Sequence, residues 1–226
     1  MSVNEFCKSL LLELKERGNP HRAEQMEAYM RHQFIFFGVM SAERSELLKK
    51  LRSNGLDMLS GTEKRELVKR LWQEEARECQ LLALEWMLKW NSKEYVEQDL
   101  DFFEHLILNK SWWDTVDGIA PNLVGKFAKR FPEIARSNFE CWEKHESLWL
   151  RRACLIFQLR YRMDTDLPKL QHWISLFKFD KEFFIQKAIG WSLREVSKWN
   201  SEWVKKIVVE EQLQGLARRE ALKYTK

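Results

Sequence analysis

An all-α fold built as a stack of helical repeats, an α-α superhelix or solenoid, is predicted by three observations. Glycine and proline are scarce, apolar residues recur at helical spacing almost throughout, and a period of about 35 residues underlies the pattern. The chain has 226 residues with 8 Gly and 4 Pro, about 5% together against roughly 12% in average usage, which leaves too few turn formers for an all-β fold. With 45% hydrophobic and 32% charged residues, it has the apolar content of a folded chain rather than a disordered one.

Read in order, the amphipathic stretches and their breaks define the elements. A helix over 3–16 ends at Gly18-Asn19-Pro20, which opens a second over 20–33, and Gly38 separates this from 41–53. Asn54-Gly55 and Gly61 precede 62–73, followed by 75–91, 97–108 and 112–119. Pro121 and Pro132 open 121–130 and 132–142; 147–162 is closed by the segment from Asp164 to Pro168, and helices over 166–178, 181–199, 201–211 and 215–225 complete the chain. None of the breaks is long enough to be a flexible linker, so residues 1–226 read as one domain.

The period appears when Glu78, Trp113, Trp149 and Phe184 are placed in one column, at spacings of 35, 36 and 35. The runs ECQLLALEWML, WDTVDGIAPNL, WLRRACLIFQL and FIQKAIGWSLR then align as helices. Another step back reaches ERSELLKKL at Glu43, and the final helix with Arg218 and Arg219 lies close to the next step. Two helices per unit at this period is the pattern of a stacked α-solenoid, in which each pair buries its apolar face against its neighbours.

The formal net charge of +4 is unevenly placed: residues 1–109 carry 16 Lys/Arg against 19 Asp/Glu, and residues 110–226 carry 22 against 15. The second half is therefore where a polyanion is expected. Cys7, Cys79, Cys141 and Cys154 stand far apart without CxxC pairing, so neither a zinc site nor a disulfide framework is indicated, and each reads as a small core hydrophobe. No apolar run approaches a membrane span and Met1–Glu5 lacks a signal-peptide pattern, so a cytoplasmic, cofactor-free and metal-free monomer is expected. The histidines His21, His32, His105, His145 and His172 are scattered and receive no role.

If the aligned helices line the concave face, Arg44, Arg152, Lys187, Arg194, Arg218 and Arg219 form a basic track on it. Lys187, Trp191 and Arg194 share one helix face, whereas Ile185, Ile189, Leu193 and Val196 form the apolar stripe, which leaves Trp191 among cations. An aromatic ring beside phosphate-binding charges suits a nucleic-acid surface. In KSWWDTVD at 110–117, Ser111 and Asp114 read as an N-cap and its capping carboxylate. Asp117 lies a full turn further in, beyond the reach of capping, at i+4 from Trp113, which places an indole and a carboxylate side by side. Trp112 reads as core packing; the Trp113 and Asp117 pair reads as a site.

These residues resemble the DNA alkylation repair proteins, the AlkD-like DNA glycosylases built from HEAT-like repeats, over nearly the whole chain. The resemblance rests on KSWWDTVD at 110–117, LWLRRACLIFQLRY at 148–161, KEFFIQKAIGWSLRE at 181–195, RREALK at 218–223 and AEQMEAYMRHQFIFFGV at 23–39. Residues 20–33, with Tyr29, match a short N-terminal helix that related non-catalytic members lack. The resemblance implies that Asp117 is the catalytic carboxylate, that Trp113 and Trp191 contact the sugar and the modified nucleotide, and that Arg152 secures the nearby phosphate. It also marks Tyr29, Arg44 and Arg194 as backbone-contacting positions beside Lys187 of the basic track. The partner it implies is duplex DNA carrying alkylated bases. The reaction is excision of cationic purines such as 3-methyladenine and 7-methylguanine by N-glycosidic hydrolysis, the first step of base excision repair, performed from the backbone side without base flipping.

Such chemistry suits these residue types. Alkylation leaves the base a good, neutral leaving group while positive charge develops on the sugar, where an ionised carboxylate and electron-rich indoles stabilise it. No residue is marked as a Schiff-base nucleophile. The rival reading is a non-catalytic repeat module that holds an unusual DNA structure or a protein, and fold alone does not decide between the two. A phosphoryl-transfer or metal enzyme is excluded by the lack of a Gly-rich phosphate loop and of clustered ligands.

Overall fold

The computed structural model describes residues 1–225, and the protein is all-α: among the described residues the extended pairing amounts to one isolated bridge between Ile35 and Ala76. The helices gather into two compact units, Met1–Glu94 and Tyr95 onward.

The first unit holds α1 (Val3–Glu16), α2 (Pro20–Tyr29), α3 (Ser41–Ser53), α4 (Gly61–Gln73) and α5 (Arg77–Met87). Ser2 and Ser60 open α1 and α4 with reciprocal capping boxes, and Asn19 caps α2 through the Arg22 amide. Phe6, Leu10 and Leu14 bury the i, i+4, i+8 face of α1 against α3 and α4. The loop from Phe34 to Met40 is held by a buried acid: the Glu78 carboxylate accepts from the amides of Phe37, Gly38 and Val39 at 3.0, 2.8 and 3.0 Å. Gly38 has φ +86°, and a Cβ there would lie 2.1 Å from the Asn19 carbonyl, so no other residue fits.

In the second unit, α6 (Asp99–Leu108) leads to α7 (Trp113–Ile119), α8 (Gly125–Arg130), α9 (Pro132–Trp142), α10 (Leu148–Ile156), α11 (Leu167–Phe177), α12 (Phe183–Ser197), α13 (Ser201–Glu210) and α14 (Gly215–Ala221). Helices α7, α10, α12 and α14 pack each on the next, and α10 and α12 also meet α9, α11 and α13. The 35-residue column is thus realised as one layer, with Trp113, Trp149 and Phe184 at corresponding places. The stripe expected on α12 is its buried face: Ile185, Ile189, Leu193 and Val196 are all in the core. Each such aliphatic side chain contributes roughly 1.5–3 kcal/mol.

Gly190 lies where α12 meets α14, and a Cβ there would stand 2.5 Å from Glu220 Cβ and 2.9 Å from the Ala217 carbonyl. Gly190→Ala is expected to cost about 1–3 kcal/mol by overpacking despite alanine's better helix propensity, read as a lowered melting temperature.

Several boundaries differ from the sequence reading. The helix expected over 147–162 stops at Ile156, because the chain reverses there: the Gln158 carboxamide accepts from the Asp166 amide at 2.7 Å, and Asp166 caps α11. The 20–33 helix ends at Tyr29, with Arg31 and His32 in the left-handed region. Pro121 is not a break. Lacking an N–H, it is accommodated by a wider π turn over Ala120–Val124, through which α7 runs directly into α8. Gly61 is the first residue of α4 rather than a gap before it. Among the cysteines, Cys79 and Cys154 are buried as expected, whereas Cys7 is half-buried and Cys141, on α9, is exposed.

Candidate functional site

Asp117 and Arg152 are joined by two parallel hydrogen bonds, each 2.8 Å: Arg152 Nε donates to Oδ1 and Nη2 to Oδ2. The pair spans α7 and α10 at a separation of 35 residues, one repeat, so the helix register itself brings the fork to the carboxylate. Arg152 also donates to the Phe184 carbonyl on α12. Its side chain is only 3% exposed, while that of Asp117 keeps 20% exposure. The guanidinium is therefore committed to protein, and the carboxylate alone retains an open edge.

Burial pushes the Asp117 carboxyl above the usual aspartate value, with the Asp114 charge adding to the rise; the two Arg152 hydrogen bonds, the Arg152 charge and Lys187 pull it back. Because the folded value lies above the unfolded one, the ionised form costs native stability at neutral pH, and that cost is relieved as pH falls through the folded value.

The open edge of Asp117 faces a cleft of about 800 Å³ that Trp191 also lines, over a floor that includes Pro121, Leu155, Leu170 and Val196. Trp191 is half-buried, off the apolar stripe of α12. Lys187 is one turn earlier on α12, with Nζ 5.7 Å from the Phe183 ring centroid. Trp113, the first residue of α7, is half-buried and does not line the cleft. Trp112 packs between Trp149 and Phe184, at ring distances of 5.7 and 5.3 Å, in keeping with its reading as a packing residue; its indole nitrogen is buried without a hydrogen-bond partner.

A family model described as DNA alkylation repair enzyme matches residues 10–225. The chain belongs to that family. Among solved structures, this alkylation repair protein is similar to one titled "Predicted DNA alkylation repair enzyme from Enterococcus faecalis", with 33% identity and a TM-score of 0.84. The match covers 92% of this chain and 96% of that one. No curated protein matches the chain.

The repair protein's other expected DNA-facing residues are placed as follows. Arg194, on α12, pairs with Glu220 of α14. Tyr29 and Arg44 belong to the first unit. Tyr29 ends α2 and is 73% exposed, whereas Arg44 is buried, donating to Glu85 Oε1 at 2.8 and 3.1 Å and to the Val39 carbonyl at 2.9 Å. Of the expected track, Arg44, Arg152 and Arg194 are thus engaged by carboxylates in this structure, and Arg218 and Arg219 are exposed. The expected cap at Ser111 is also replaced: its hydroxyl donates to the Ile107 carbonyl at 2.6 Å, α7 starts after Trp112, and Asp114 accepts from the Thr115 amide at 3.0 Å. Ser111 closes the preceding helix instead of opening the next.

Sequence reasoning missed other residues that line the cleft, among them Arg160, Arg162, Met163, Glu195 and Trp199. Two of these lay inside the helix expected over 147–162, where a charged residue reads as a solvated face. Trp199 had a signal: it follows Trp191 by two turns. Among the described residues no cluster of His, Cys, Asp or Glu could hold a metal ion, and no helix is long and apolar enough to cross a membrane.

Trp113→Ala and Trp191→Ala are expected to cost less than the roughly 3–5 kcal/mol of a buried Trp truncation, because both rings are only half-buried. Their main effect should fall on repair activity rather than on folding. Thermal melts beside single-turnover rates check this; a severe loss of stability with parental turnover per folded molecule would take them out of the site.

Proposed function

We propose that the protein is a monofunctional DNA glycosylase that excises positively charged N-alkylated purines, of the 3-methyladenine and 7-methylguanine type, from duplex DNA. The observation that carries this reading is a carboxylate fixed by a bidentate arginine with its remaining edge on a tryptophan-lined cleft. The C1′–N bond breaks with its electron pair going to the cationic base, which departs neutral. Ionised Asp117 stabilises the positive charge left on the sugar and accepts a hydrogen bond from the water that adds to C1′, leaving an abasic site and a proton. Trp191, and Trp113 on the same helix as Asp117, supply electron-rich faces worth roughly 0.5–2 kcal/mol each toward a cation. Arg152 orients the carboxylate and keeps it ionised, and Lys187 meets the nearby phosphate.

No base-flipping step is needed, since the charge on the lesion already makes it a leaving group. Neutral lesions, which need a general acid, should be poor substrates. The non-catalytic reading survives only if the Asp117–Arg152 pair serves packing alone.

Incubation with a duplex carrying one 7-methylguanine, followed by alkali, tests the proposal: strand breaks at the lesion and free base in solution are expected. Affinity for the duplex should fall with salt at a log–log slope of about −0.9 per phosphate neutralised. Salt-sensitive binding with no base release would establish the binding module instead.

A further inference from the structure

We propose that Arg160 and Arg162 form a phosphodiester-binding subsite at the rim of the Asp117 cleft, holding the lesion-bearing strand; this rests on the reading of the cleft as a DNA site. Both arginines line the cleft and both are exposed. Every carboxylate on or beside the same rim is already occupied: Asp117 by Arg152, Glu195 by Lys198 at 2.7 Å, Asp164 by Lys129 at 3.0 Å, and Asp166 by the Lys169 amide at 3.0 Å. Neither Arg160 nor Arg162 has an ion-pair partner among the described residues, which leaves two uncompensated guanidinium groups facing the space that holds Asp117.

Their placement is built. Arg162 sits at φ +55°, a left-handed conformation that a long side chain seldom adopts, and its carbonyl accepts from the Thr165 amide at 3.1 Å and the Thr165 hydroxyl at 2.6 Å. Between the two arginines, the Tyr161 hydroxyl donates to the Gly125 carbonyl at 2.6 Å, with Lys129 Nζ 4.4 Å from its ring centroid. Gly125 lets the Phe157 carbonyl and the Tyr161 ring come close, since a Cβ there would stand 2.6 Å from that carbonyl oxygen and 3.4 Å from Tyr161 Cε1. The segment is thereby pinned to α8, the continuation of the helix that carries Asp117, so the arginines are held at a fixed offset from the reacting sugar.

The chemistry this fits is a phosphate oxygen pair approached by planar guanidinium forks. A cleft of about 800 Å³ lies within the usual size of a single-ligand site, so the phosphate taken is one close to the lesion.

The test measures the affinity of Arg160→Ala/Arg162→Ala for a 7-methylguanine duplex across a salt series, with Arg136→Ala as control, since Arg136 is exposed on α9 and does not line the cleft. The double variant should bind roughly tenfold more weakly at low salt, with a slope shallower by about 0.9 for each phosphate that is no longer neutralised. Arg136→Ala should match the parent, and Arg160→Lys/Arg162→Lys should recover most of the slope. An unchanged slope and affinity in the double variant, or an equal change in Arg136→Ala, would overturn the subsite. Absence of base release from the parent protein, with the slope difference intact, would overturn the glycosylase reading and leave the subsite standing.

Discussion

Asp117→Asn should lower single-turnover excision of 7-methylguanine by about 10²-fold or more, the scale on which loss of one preorganised electrostatic group acts and equal to at least about 2.7 kcal/mol of barrier. The sequence alone suggests that this substitution leaves folding untouched. The structure changes that expectation, because Asn removes the countercharge of a guanidinium that is only 3% exposed. A stability loss of roughly 1–3 kcal/mol follows, below the 3–5 of a fully buried pair because Asp117 keeps one-fifth of its side-chain surface open and Asn still accepts one hydrogen bond. The rate must therefore be compared below the variant's melting transition. Asp114→Asn serves as the control: Asp114 accepts from the Thr115 amide at the start of α7, and the change should cost about 0.3–1 kcal/mol with excision retained. Near-parental excision by Asp117→Asn, or similar behaviour of the two variants, would sink the assignment.

Arg152→Ala should produce the largest loss of stability of any single change in the site, about 3–5 kcal/mol, since it strands a buried carboxylate and opens the space between α7, α10 and α12. It should also move a titration. Burial already holds the Asp117 carboxyl above its ordinary value, and Arg152 supplies the two largest opposing effects. Without it, the folded value rises further above the unfolded one. The variant's melting temperature should then gain more than the parent's as pH is lowered from neutral toward the carboxylate range, because protonation relieves the stranded charge in the native state. The acid limb of the excision rate should shift to higher pH in the same variant, since only ionised Asp117 stabilises the sugar cation. Arg152→Lys, which keeps the charge but loses the fork, should fall between the two. A parental pH profile in Arg152→Ala would show that the pair does not control the carboxylate.

Much of the site was legible one residue at a time. Asp117 stood out because capping could not explain a carboxylate a full turn inside α7, and Trp191 because it fell outside the stripe of Ile185, Ile189, Leu193 and Val196. Both arguments use only helical periodicity, a local property of the chain. The same reasoning treated Arg44, Arg152 and Arg194 as solvent-facing cations, since nothing local distinguishes a charge on a wet face from one whose partner lies 35, 41 or 26 residues away.

By itself, the sequence determined the all-α class, nearly every helix, the 35-residue register and the candidacy of Asp117, because hydrophobic period, caps and proline placement act within a few residues. Only the tertiary structure decided which charges meet. Packing α7 on α10 turned Arg152 from an expected phosphate ligand into the fork that holds Asp117, and packing α12 on α14 gave Arg194 to Glu220. It also cut the 147–162 helix at Ile156, where the Gln158 and Asp166 link outweighs continued helix, and so released Arg160 and Arg162 to the cleft rim. The physical reason is one of range: a helix is specified by neighbours in sequence, whereas the state of a charge is specified by whatever the fold brings within a few ångströms of it.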